Sequence, residues 1–66
     1  MTGRQREMVR ALERRRDFLA GRIASYRRDG NPSHDKAEAQ AISWALRIIR
    51  AADREEILRD LESVAA

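Results

Sequence analysis

One helix-breaking segment, Asp29-Gly30-Asn31-Pro32-Ser33-His34, divides this chain of 66 residues into two arms of nearly equal length. It is the only place where a glycine and a proline stand close together. Both arms are dense in Ala, Leu, Arg and Glu, which are strong helix formers. The segment therefore predicts two long helices folded back on one another. A connection of about three residues makes such helices antiparallel neighbours.

The expected architecture is all-α: an antiparallel helical hairpin forming a single domain over residues 1–66. Helix 1 is expected over about 3–29, the turn over 30–33 and helix 2 over about 33–64. Arg27 and Arg28 suit the negative end of helix 1, and Gly30 suits a left-handed C′ position. Helix 2 is expected to start either with Asn31 as cap and Pro32 as first helical residue, or with Ser33 as cap and Asp35 in the first turn.

Met8, Val9, Leu12, Leu19, Ile23 and Tyr26 form a stripe about 100° wide on helix 1, with Arg16 inside it and Arg15 at its edge. Their long stems pack while the guanidinium groups reach water or a facing acid. Gly21 points away from the stripe and costs about 1 kcal/mol relative to alanine. On helix 2, Ala41, Ile42, Ala45, Ile49 and Ala52 are mostly small, and small facing large predicts this seam as the inside of the hairpin. Past Ala52 the pattern rotates to Ile57, Leu58, Leu61 and Val64. Asp53 with Glu56 three residues later resembles a capping box, so helix 2 is expected to be continuous or gently kinked, with a split at 52–53 as the alternative.

A second apolar face lies outside this seam. With the turn centred near residue 31, Phe18 comes level with Trp44, and both lie on one flank of the hairpin. Ala11 joins them from helix 1, and Ile48, Ala51 and Leu58 from helix 2. Ala37, Trp44, Ala51, Leu58 and Ala65 recur every seven residues, as a helix–helix seam requires. Two helices cannot cover two faces, and an exposed apolar band usually marks an interface. The expected solution is a homodimer packed about a two-fold axis as a four-helix bundle, with a three-helix monomer second. The interface residues are Ala11, Phe18, Trp44, Ile48, Ala51 and Leu58.

Composition narrows the chemistry. With no Cys and one His, disulfides and the usual zinc ligand sets are excluded, and no metal or other cofactor is expected. At this length a single core rarely supplies more than about 3–5 kcal/mol, so packing quality, oligomerisation or a partner must add to it. No long apolar run provides a secretion signal or a membrane span, and Pro32 blocks a glycosylation sequon at Asn31. The cytoplasm is the expected location, that of the host if a phage encodes the chain. Thirteen of the fourteen basic residues are Arg and eleven residues are Ala. This skew fits a GC-rich coding genome, such as that of an actinobacterium or one of its phages.

Catalysis is not expected. His34 beside Asp35 is the one conceivable acid–base pair and is better explained by its place at the start of helix 2. The serines lack a base, no phosphate-cradling glycine loop exists, and the acids of helix 2 lack the Glu-x-x-His spacing of carboxylate-bridged metal bundles.

Charge is unevenly divided. Residues 1–30 carry nine Arg against four acids, whereas residues 31–66 carry five bases against seven acids. The basic start, with Arg6 and Arg10, is expected to lie beside the acidic region from Ala52 to Glu56 and so to favour the antiparallel register. Arg4, Arg6, Arg10, Arg14, Arg15 and Arg22 are also candidate contacts to phosphates of a nucleic acid. Glu7, Glu13 and Asp17 interrupt that run, and no nucleic-acid-binding motif is present. The expected function is that of a small non-catalytic protein that self-associates and binds another protein. Nucleic-acid binding through the Arg-rich helix is the alternative, and no small-molecule substrate is evident.

Overall fold

The structure is a computed structural model that describes residues 1–27 and 30–65, with the side chain of Ala65 outside the description. Two helices, α1 (Gly3–Ser25) and α2 (Ser33–Ala65), pack antiparallel as a hairpin. The molecule measures 60 × 18 × 13 Å, with a radius of gyration of 16.6 Å. A globule of this length would have a radius near 11 Å, so the hairpin is a rod with most of its residues at the surface.

A capping box starts α1. Thr2 Oγ1 accepts from the Gln5 amide at 3.2 Å, and Gln5 Oε1 accepts from the Thr2 amide at 2.8 Å. The Thr-x-x-Gln spacing of residues 2–5 encodes this box, a signal independent of the apolar stripe. α1 ends at Ser25, earlier than expected, because Tyr26 leaves the helix with extended backbone, φ −62° and ψ 134°. Its ring is then free to turn toward the start of α2. Arg28 and Asp29, expected in the last turn, lie outside the described residues.

Gly30 does not take the left-handed conformation expected of it: no described glycine has a positive φ. It is required for space, since a Cβ there would lie 2.8 Å from Tyr26 Cδ1 and 3.2 Å from the Arg27 carbonyl oxygen. Its amide donates to that carbonyl at 2.8 Å. At the start of α2 each expected capping scheme is met in part: Asn31 supplies the capping oxygen and Asp35 lies in the first turn, but the first helical residue is neither Pro32 nor a residue after a Ser33 cap. Ser33 is the first helical residue, Pro32 offers its carbonyl to the Lys36 amide, and the Asn31 carboxamide oxygen accepts from the Ser33 amide at 3.1 Å.

Leu19 and Leu46 are the fully buried side chains among the described residues. Around them Val9, Leu12, Arg16 and Ile23 of α1, Tyr26 just past its end, and Ala39, Ile42, Ala45, Ile49 and Asp53 of α2 are half-buried. Along each helix the innermost positions alternate three and four residues apart: 9, 12, 16, 19, 23 on α1, continued by 26 just past its end, and 35, 39, 42, 46, 49, 53 on α2. This is the spacing of an antiparallel coiled-coil seam. The α2 seam centres on Leu46, which turns it away from the expected line through Ala41 and Ala52; both of those are exposed.

Ser25 ends one helix and Ser33 begins the other, so residue i of α1 lies level with about residue 58 − i of α2. The first residues of α1 come level with about residue 55. Beyond that point α2 runs on alone for about ten residues, or ~15 Å. α2 is unbroken across Asp53. The rotation of its apolar stripe there coincides with the end of the partner helix.

Candidate interaction surfaces

Asp35, in the first turn of α2, fixes the closed end of the hairpin. It is buried, accepts from the Tyr26 hydroxyl at 3.1 Å and pairs with Arg22 Nε at 2.9 Å. Arg22 of α1 and Tyr26 just past its end are thereby tied to one carboxylate that also favours the positive end of α2. One turn further on, Arg15 holds Glu38 through two hydrogen bonds of 2.8 and 3.2 Å. This contact keeps the Glu38 carboxyl below its ordinary pKa, chiefly through the hydrogen bond and secondarily through the charge of Arg15. On the opposite flank Glu13 meets Arg50 at 3.5 Å.

At the open end the expected pairing of Arg6 and Arg10 with the acidic region takes a different form. The Met1 ammonium pairs with Asp53 at 2.9 Å, and Arg6 donates to the Met1 carbonyl at 3.4 Å. The hydrogen bond to Asp53 raises the pKa of that ammonium, with the Asp53 charge adding to it. Asp53, which would cap a third helix in the alternative of a split helix 2, is used across the hairpin instead.

These contacts divide the candidate arginines. Arg15 and Arg22 are engaged by acids, and both guanidinium groups lie over the Phe18 ring, 5.3 and 5.9 Å from its centroid. Arg4, Arg6, Arg10 and Arg14 are exposed, and among the described residues no ion pair involves them. No group of three His, Asp or Glu side chains gathers as a metal ion would need among the described residues. Among the described residues no helix is long and apolar enough to cross a membrane.

All six residues of the expected apolar face are exposed, but the hairpin spreads them over two surfaces. Phe18 and Ala11 lie on the flank of α1 that carries Arg15 and Arg22. Trp44, 63% exposed, is two residues from the buried Leu46, so it projects about 200° round the helix and directly away from α1. The observed register also separates Phe18 and Trp44 by about four residues, or ~6 Å, along the rod. The rotation arises because the seam runs through Asp35, Leu46 and Asp53, and apolar periodicity cannot reveal a seam that contains acids; the axial shift follows from the early end of α1 at Ser25.

Two apolar surfaces result. The first is the outer face of α2, where Ala37, Ala41, Trp44, Ile48, Ala51 and Leu58 are all exposed. The second is the overhang, where Ile57, Leu61 and Val64 stand half or more exposed on the side that α1 would cover if it were longer. It adjoins a groove of about 300 Å³ floored by Met8, Val9, Ile49 and Ala52. No protein-family model, curated protein or solved structure gave a match to this chain, so residue chemistry and geometry carry the functional argument.

Proposed function

We propose that this protein is a small non-catalytic helical hairpin that self-associates and acts by binding another protein. One observation carries the reading. Eight large apolar side chains stand about half or more exposed, against two that are fully buried. A hairpin that leaves this much apolar surface in water gains more from covering it than from its own seam. Pairing with a second copy through the outer face of α2 would cover Trp44 and Ile48 without the closed four-helix bundle expected from the sequence, and a helix of a partner protein would suit the groove and overhang.

Trp44 is the only tryptophan, so its emission reports on its own burial. With self-association through its face, the emission maximum moves to shorter wavelength as protein concentration rises. A maximum that stays at the position of a hydrated indole over the whole range rules this mode out. A photo-crosslinking amino acid in place of Leu61 tests the second half of the proposal in the cells that make the protein. Adducts with another protein are expected, and adducts with the chain itself alone count against it.

Nucleic-acid binding through α1 is the second reading, favoured by Arg4, Arg6, Arg10 and Arg14 being exposed without acidic partners among the described residues. Phosphate contacts weaken steeply as salt rises. Mixed-sequence DNA or RNA that fails to bind even at low salt removes this reading.

A further inference from the structure

The outer face of α2 is self-complementary about one residue. Trp44 stands seven residues before Ala51 and Leu58 seven after it, while Arg47 stands four before and Glu55 four after. When two identical helices pair antiparallel about a two-fold axis at one position, residues equally far before and after that position come level. A large ring then meets a large aliphatic side chain at both ends of the contact. The smallest side chain on the stripe that is not glycine lies at the axis, where two backbones must approach most closely. Glu55, which interrupts the apolar stripe between Ala51 and Leu58, is brought level with a cation.

We propose that two copies of this chain pair antiparallel through the outer faces of α2, with Ala51 on the two-fold axis, Trp44 of each copy against Leu58 of the other, and Arg47 of each beside Glu55 of the other. The proposal rests on the self-association reading and deepens it by assigning a face and a register. Charge selects this face over the two competing ones. Pairing through the Phe18 flank brings the Arg15 and Arg22 of two copies together over rings that those cations already occupy. Pairing of the overhangs about Leu61 places Asp60 of one copy level with Glu62 of the other, and like charges at one level oppose association. The outer face of α2 sets Arg47 level with Glu55 and Trp44 level with Leu58, while Ile48 comes level with the aliphatic stem of Arg54. α1 takes no part in this contact, so the second copy leaves the open-end groove accessible.

The chain has no cysteine, which makes single-cysteine variants clean reporters. Under mild oxidation Ala51→Cys is expected to form a disulfide-linked dimer, because residues on the axis fall within the roughly 4.4–6.8 Å Cα separation that a disulfide needs. Ala24→Cys, on α1, is expected to stay unlinked. Charge reversal provides an independent measure that needs no new bond. Arg47→Glu and Glu55→Arg alone are each expected to weaken the dimer on the order of ten-fold, since symmetry counts each pair twice, and the double variant to recover most of the loss. Circular dichroism checks that each variant is folded. A folded protein that is dimeric by mass but links through Phe18→Cys rather than Ala51→Cys overturns the register and leaves self-association standing. A monomer at every concentration overturns both.

Discussion

Leu19 and Leu46 are the two fully buried side chains among the described residues, so truncating either removes packing at the centre of the seam. Leu19→Ala is expected to cost about 2–5 kcal/mol, enough to unfold much of a domain whose whole margin is of that order. Thermal denaturation followed by circular dichroism measures it. Gly21→Ala runs the other way. Nothing lies within 4 Å of a Cβ placed there, so the substitution is expected to stabilise α1 by about 1 kcal/mol and raise the melting temperature by several degrees. Gly30→Ala, with Tyr26 and the Arg27 carbonyl in the way, is expected to lower it. The two glycines show what sequence can tell: one occupies open space and the other a close approach, and nothing in their neighbours' identities distinguishes them. Leu19 was legible as part of a clean apolar stripe. Leu46 was not, since its companions on the seam, Asp35 and Asp53, look like surface residues until Arg22, Tyr26 and the Met1 ammonium are brought to them.

The two helices differ in what ends them and in what they cover. The turn between them and the two-helix count followed from Gly30, Asn31 and Pro32. The length of α1 did not, because Tyr26 leaves the helix for a contact with Asp35 that is distant in the sequence's own pattern. That early exit shifts the register by about one turn and exposes the overhang of α2. Residues past Glu56 have no helix beside them, so removing residues 57–66 is expected to leave the hairpin's melting temperature within a few degrees of the full chain while helical signal falls. A large drop would mean that the overhang folds back on the hairpin. The helix-to-helix contact between Arg15 and Glu38 has a pH signature. Glu38 has a lower pKa folded than unfolded, so its contribution is present above the unfolded value near 4.5 and is lost as pH falls through the folded value. Melting temperature should therefore decline on the acid side, and Glu38→Gln should flatten that part of the decline.

As a whole the molecule is a 60 Å rod whose inside is one thin seam and whose outside is apolar along one helix and basic along the other. Such a shape leaves large apolar side chains of both helices in water. Apolar repetition every seven residues on α2 was visible in the sequence, and so was its excess over what two helices can hide. Which residues share a surface was decided by the position of the seam, which separates Phe18 from Trp44 and gives the outer face of α2 its symmetry about Ala51. The most direct test of self-association through that face is the mass of wild type and Trp44→Glu by sedimentation equilibrium across a dilution series. The account predicts wild type approaching twice the 7.6 kDa of one chain as concentration rises, with Trp44→Glu staying at one chain while equally helical. Wild type remaining at the mass of one chain, or Trp44→Glu dimerising as well as wild type does, would contradict it.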